Sequence, residues 1–317
     1  MRAHVFQPAS IMLVAVTAAG CSSPAPQAVD AGPLVVFSAG SLARPLKAAL
    51  DSFARVEHTT YQLESSGSLE AARKVTELGK IPDVLALADV EVFPQLLVPG
   101  HATWYATFAT NRMVLAKSPR AKYGKEISSD NWSDVLQRAG VETGRADPNV
   151  DPAGYRTLLV FRLAEHQLRK PGLAVALERA SPRRNIRPKS AELTALVQAG
   201  ELDYAWAYES VAHAAGLDYV RLNESLDLGS LSDSLTYRLA SVRVPGRSPK
   251  DSITVLGTPI RYALSIPIGA THVALAERFV RFLGSPAGRQ ALRREFLPVL
   301  DAWDWSGTGI PSALREK

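Results

Sequence analysis

The chain of 317 residues is 46% apolar and 21% charged, a globular composition that excludes a wholly disordered, collagenous or membrane-embedded protein. Its formal charge of +5 and pI near 9.3 come from scattered Lys and Arg with only short clusters, such as Arg183-Arg184 and Arg293-Arg294, which is no nucleic-acid-binding stripe. The length favours two domains, and the mild positive balance helps an anion approach.

Arg2 precedes an apolar stretch from Ile11 to Val16, too short for a permanent membrane helix, and then Ala18-Ala19-Gly20-Cys21. Small residues before the chain's only cysteine read as an export signal over 1-20 with a lipid-modified Cys21; the bland alternative is a plain secretory peptide. With Cys21 lipidated, no thiol is left for a disulfide or a Cys-based site. Residues 21-32, small, polar and containing Pro, have the composition of a tether.

From Leu34 the pattern alternates. Leu34-Phe37 is a continuously apolar run that predicts a buried strand, followed by the turn Ser38-Ala39-Gly40-Ser41 and a helix to Val56. Strand Thr60-Leu63, the turn Ser65-Ser66-Gly67-Ser68, helix Leu69-Leu78, strand Val84-Ala88 and a helix from Glu91 repeat the theme. Such alternation implies an α/β fold with mainly parallel sheets covered on both faces. Tyr105-Ala109 and Arg112-Ala116 are expected as strands near a crossover at Asn111. Trp132 to Ala199 reads as mostly helical, and strand Tyr204-Tyr208 and helix Ser210-Ala215 follow. Strands Leu235-Val244 and Tyr262-Ile266 and helices Val273-Leu283 and Ala287-Glu295 complete the expected set.

Both Ser-containing turns follow a strand and open a helix, which places hydroxyls and unpaired N-H groups where a partial positive charge of about half an electron gathers. Ligands in open α/β sheets bind beyond the carboxyl ends of the strands, where Gly40, Ser41, Gly67 and Ser68 are expected. Each Ser taken singly reads equally well as a helix cap. A third candidate is the loop Asp147-Pro148-Asn149-Val150-Asp151-Pro152-Ala153 before a helix. Asp151 either caps that helix or, being repulsive to a dianion, bonds directly to a central metal atom of the anion, which molybdenum and tungsten permit. Trp132, Trp206 and Tyr155 are read as packing residues. The six histidines have no metal-ligand spacing, and His213, four residues after Glu209, is expected to make a surface contact with it.

Several motifs occur together and in order: Ser38-Ala39-Gly40-Ser41-Leu42, Gly67-Ser68 before Arg73-Lys74-Val75-Thr76-Glu77-Leu78-Gly79-Lys80, Asp83 with Ala88-Asp89, and Phe108-Ala109-Thr110-Asn111. Asn131-Trp132, Asp151-Pro152-Ala153-Gly154-Tyr155-Arg156, Asp203-Tyr204, Tyr208-Glu209-Ser210-Val211-Ala212 and Thr258-Pro259-Ile260-Arg261-Tyr262 continue the series. From about Leu34 to Leu300 the chain resembles the archaeal-type tungstate/molybdate-binding proteins of ATP-binding-cassette importers. The resemblance implies a type II periplasmic-binding-protein fold, two lobes with a ligand cleft between them: 33-110 with 223-305 as the first, 111-222 as the second and 306-317 as a tail. It implies an anion held by Ser41, Ser68, the backbone of Asp151-Pro152-Ala153 and groups at Tyr208 and Glu209, with Asp151 as a ligand to Mo or W. The family's second carboxylate falls at Ala207 here, so four-coordinate recognition stays open beside six-coordinate.

The function implied is capture of molybdate or tungstate and delivery to an importer's permease by a monomeric, lipid-anchored protein of the periplasm or cell surface, with no cofactor and no nucleic acid. Sulfate-like ligands and a sensory module are the alternatives. A hydrolase lacks support, since no Gly-x-Ser-x-Gly elbow is present and no His marks a base for Ser41 or Ser68.

Overall fold

The computed structural model describes residues 1, 3, 32-245 and 251-315; the expected export signal from His4 on, Cys21 and the tether through Ala31 lie outside the described residues. Continuous apolar runs become strands buried on both faces. β1 (Leu34–Ala39), β2 (Tyr61–Ser66), β3 (Val84–Leu87) and β4 (Trp104–Thr110) join β12 (Arg261–Ser265) and β13 (Val299–Gly307) in a six-stranded sheet ordered β13-β4-β12-β3-β1-β2. β5 (Met113–Lys117), β6 (Thr143–Ala146), β7 (Ile186–Arg187), β8 (Tyr204–Tyr208) and β9 (Asp218–Arg221) form a second sheet ordered β7-β6-β8-β5-β9. Both sheets are mixed. β1 pairs in parallel with β2 and β3, and β6 with β7 and β8, whereas β12, β13, β5 and β9 enter antiparallel.

The sheets are the cores of two lobes. Under the first, Phe53 of helix Ala43–Glu57 is 1% exposed and meets the ring of Phe279 at 5.1 Å; burial of such a side chain is worth about 1.5–3 kcal/mol. In the second, alternation along β5 and β8 divides the side chains between two faces. Met113, Leu115, Trp206 and Tyr208 join the larger apolar cluster, while Val114, Ala116, Ala205 and Ala207 join a smaller one with Leu193 and Val197. Trp206 packs edge-on against Trp132 and Phe161, at 5.3 Å from each, in line with the packing role expected for both tryptophans.

The chain crosses between the sheets after β4, at Asn111-Arg112, and returns between β9 and β12. The two crossovers are tied together: Met113 N donates to Asp227 O (2.7 Å) and Arg112 lies 3.3 Å from the buried Asp227 carboxylate.

Two sequence expectations are corrected. The expected strand Leu235-Val244 is instead a turn of helix, Ser234–Tyr237, followed by β10 (Ser241–Pro245), which pairs with the unforeseen β11 (Ser252–Leu256) in a separate ribbon. Val242, Val244 and Val255 bury one face of this ribbon, a strand-like alternation that begins only at Ser241. The expected helix from Glu91 shrinks to one wide turn, Phe93–Leu97, because Val98, the residue before Pro99, is extended and stops it; Pro94 stands in the first turn, where no donor is needed. The stretch Trp132-Ala199 is mostly helical as expected, with the short strands β6 and β7 between its helices. Over the expected tail, β13 runs to Gly307 and a short helix stands at Ser312–Arg315.

Candidate functional site

The parallel register Leu34↔Tyr61 through Ala39↔Ser66 brings β1 and β2 to the same level, and their last turns are joined by Ser38 Oγ and Ser65 Oγ at 2.7 Å. The chain then leaves both strands in the same way. Ala39 and Gly67 are extended (φ −61 and −65°, ψ 148° at each), and helical structure starts at Gly40 and at Ser68. Ser41, the second residue of its helical turn, and Ser68, the first residue of its helix, are thereby placed at neighbouring helix starts, 6% and 0% exposed. Ser68 Oγ accepts from Ala88 N at 3.0 Å, and Ser41 Oγ accepts from Tyr262 Oη at 3.2 Å. A hydroxyl that accepts from the protein keeps its own proton to donate, so each serine offers one hydrogen bond to an acceptor in the cleft.

The second lobe brings up the loop before helix Pro152–Leu168. Gly67 is what lets it come close: a Cβ there would lie 2.0 Å from Val150 O. Arg73 Nη1 donates to Asn149 O (3.1 Å), and Glu70 N to Val150 O (3.4 Å). Asp151, 4% exposed, caps two helices at once, Oδ1 accepting from Ala153 N and Oδ2 from Ser190 N, each at 2.9 Å. Burial pushes its carboxyl above the ordinary 3.8, against the pull of those two N-H groups and of Arg156. Helix Ser190–Ala199 begins beside Gly40, where a Cβ would meet Lys189 Cβ at 3.7 Å and Ala191 Cβ at 4.0 Å.

Of the residues singled out from sequence, Gly40, Ser41, Gly67, Ser68, Asp151, Pro152, Ala153 and Tyr208 are thus set around one interlobe region. Tyr208 is fully buried at the end of β8; its hydroxyl accepts from Arg156 Nη1 at 2.7 Å and its ring meets Tyr262 edge-on at 5.8 Å. Glu209 is placed differently. Its carboxylate is held by Arg221 (2.7 Å) and Arg112 (3.4 Å), and its N-H donates to Arg112 O. Ala207 sends its side chain into the smaller apolar cluster beside Leu193 and Ala212. The expected Glu209–His213 contact is replaced by a stack of His213 on Phe296 of the first lobe, 4.0 Å between centroids.

Sequence reading gave no role to Asn111, Ser210 and Tyr262, although motifs containing them carried the resemblance. Asn111 Nδ2 donates to Ser210 Oγ (2.7 Å) and to Tyr262 Oη (3.1 Å), which in turn holds Ser41. Burial raises the phenols of Tyr208 and Tyr262, so both stay protonated. Tyr155, read as packing, also donates its hydroxyl to Asp89. A crevice of about 150 Å³ lined by Gly40, Ser41, Arg44, Ala191, Ser210 and Ala214, among others, runs between the lobes. Arg44 closes its rim by donating to Ala214 O at 2.6 Å. Among the described residues no cluster of His, Cys, Asp and Glu is arranged to hold a metal ion, and no helix is long and apolar enough to cross a membrane.

Comparison with known proteins agrees with this geometry. Residues 34–297 match the family described as bacterial extracellular solute-binding protein. An uncharacterized solute-binding protein of Petrotoga mobilis is 40% identical over 286 residues, covering 90% of this chain and 88% of that one. The molybdate/tungstate-binding protein WtpA of Pyrococcus abyssi is 35% identical over 287 residues, 82% of each chain. The periplasmic molybdate-binding protein of Azotobacter vinelandii, at 16% identity, superposes with a TM-score of 0.58 over 83% of this chain and 98% of that one, a likeness of fold.

Proposed function

The chain belongs to the family of bacterial extracellular solute-binding proteins, and from that premise we propose that it captures molybdate or tungstate between its lobes and hands it to an ATP-binding-cassette permease. The observation that carries this reading is the pair of neighbouring helix starts at Ser41 and Ser68, each with a hydroxyl proton free, with the loop into Asp151-Pro152-Ala153 packed on Gly67 beside them. Helix starts and hydroxyls suit a small oxyanion, and the WtpA relative supports the choice of anion.

The anion is held four-coordinate, by hydrogen bonds. Both Asp151 oxygens are already engaged by backbone N-H groups, and Ala207 supplies no second carboxylate. Discrimination then rests on donors that a smaller anion leaves unpaired, about 1–3 kcal/mol for each buried one. Export, and attachment to the membrane through Cys21, complete the reading; the tether lets the body reach a permease.

Isothermal titration of the purified protein with molybdate, tungstate, sulfate and phosphate tests it. Tight one-to-one binding of molybdate or tungstate is expected, with sulfate and phosphate silent. A sulfate-selective result would keep the receptor and change its ligand, and silence toward all four would end the oxyanion reading.

A further inference from the structure

One buried cluster joins the two lobes beside Tyr208, whose hydroxyl Arg156 also holds at 2.7 Å. Asp89 follows β3 of the first lobe and is 3% exposed; Tyr155 and Arg156 lie in the first turns of the second-lobe helix Pro152–Leu168 and are 1% and 2% exposed. Arg156 Nη2 lies 3.3 Å from Asp89 Oδ1, and Tyr155 donates its hydroxyl to Asp89 Oδ2. Arg156 Nη1 also donates to Ala88 O at 2.7 Å. The acid of one lobe is therefore gripped by two consecutive side chains of the other. Burial and the charge of Asp89 raise the Tyr155 phenol well above 10, so it remains a donor.

We propose that Asp89, Tyr155 and Arg156 form an interlobe clasp that draws the lobes closed and sets how fast the bound anion leaves; its ligand arm rests on the oxyanion reading above. A buried ion pair is costly unless its donors find partners; Arg156 Nη1 finds two, Ala88 O and Tyr208 Oη, whereas Nη2 has the Asp89 charge at 3.3 Å and no hydrogen bond. Opening the cleft by a few ångströms separates Asp89 from both partners and returns them to water. Contacts of this kind act on dissociation, because long-range attraction sets encounter while short-range, desolvated pairs set escape. The clasp is also wired to the anion donors through a single residue: Ala88 gives its N-H to Ser68 Oγ and its carbonyl to Arg156. Ser68 is held from within its own lobe, and Arg156 reaches the carbonyl of the same Ala88 from the other.

The test uses Asp89→Asn, which removes the charge at constant shape, and Tyr155→Phe, which removes one hydroxyl and keeps the fold should the first variant not fold. Small-angle X-ray scattering of the anion-free protein is expected to give a larger radius of gyration for either variant than for wild type. Stopped-flow measurement with molybdate is expected to show dissociation accelerated by about tenfold or more with association changed less than about threefold. Arg156→Lys, which keeps the charge but loses the fork, is expected to fall between these variants and wild type. An unchanged radius of gyration in folded variants, or equal losses in association and dissociation, overturns the clasp. The scattering arm needs no ligand, so a protein that ignores molybdate refutes the oxyanion reading while leaving the clasp to be judged by its own result.

Discussion

The contact at Gly67 offers a perturbation whose effect can be worked out in advance. A Cβ added there would sit 2.0 Å from Val150 O, 2.6 Å from Val150 C and 3.1 Å from Asp151 N. Carbon contacts settle near 3.5 Å, so in Gly67→Ala the loop 147-151 must retreat by about 1.5 Å. That movement breaks the bond from Glu70 N to Val150 O and carries the Asp151-Ala153 turn away from Ser68. Losing two hydrogen bonds to a charged ligand, at about 1.5–3 kcal/mol each, costs about 3–6 kcal/mol, or roughly 10²- to 10⁴-fold in affinity. The fold itself should tolerate the change. Gly67 has φ −65° and ψ 148°, a conformation that alanine adopts freely, and the clash exists only while the lobes touch. Gly40→Ala is the control: its nearest contacts, at 3.7–4.0 Å, are ordinary. Titration calorimetry with molybdate beside thermal melts should show Gly67→Ala binding at least about 100-fold weaker with an almost unchanged melting temperature, and Gly40→Ala within about threefold of wild type. Wild-type affinity in Gly67→Ala, or equal damage from both substitutions, would refute the reasoning.

Ser41→Ala and Ser68→Ala should each weaken anion binding by about 1.5–3 kcal/mol in the same titration, with Ser68→Ala also losing the partner of Ala88 N and so melting lower. Asp151→Asn should keep or raise anion affinity, because a like charge leaves; a collapse of affinity would instead mark Asp151 as a direct ligand to the metal atom. The raised Asp151 carboxyl makes a stability contribution that is fully present below pH 3.8 and is lost as pH rises through its elevated value. The wild-type advantage over Asp151→Asn in unfolding free energy should therefore shrink with pH across that window, and growth of the advantage would contradict the assignment. Cys21→Ser should move the protein from the membrane fraction to the soluble exported fraction on cell fractionation, whereas retention in the membrane would exclude the lipid anchor.

The strand-turn-helix repeats at Ser38-Ser41 and Ser65-Ser68 were legible because they are local: apolar runs, small hydroxyl residues and amphipathic helices succeed one another within about twenty residues. The chain that supports Ser41 was not, because Asn111, Ser210 and Tyr262 stand 99 and 151 residues apart and meet only through the two sheets. Glu209 illustrates the limit of spacing. Two residues beyond Ala207 it starts a helix, and Arg112 and Arg221 from β5's edge and β9 claim its carboxylate. β13 escaped notice for a different reason. It is an edge strand whose Asp301, Asp304 and Ser306 dilute the apolar signal, while Trp303 and Trp305 pack against the sheet. The Asp89 clasp was invisible in the sequence, where a buried acid and a buried Tyr-Arg pair look like ordinary polar residues until the lobes are set face to face.

The most direct measurement is an anomalous difference map from crystals grown with tungstate and recorded at the tungsten edge. A single strong peak within hydrogen-bonding distance of Ser41 Oγ and Ser68 Oγ, carrying four oxygens and no bond to Asp151, is the expected result. A peak bonded directly to a carboxylate oxygen would replace hydrogen-bonded recognition by metal ligation, and a peak away from both serines would contradict the account.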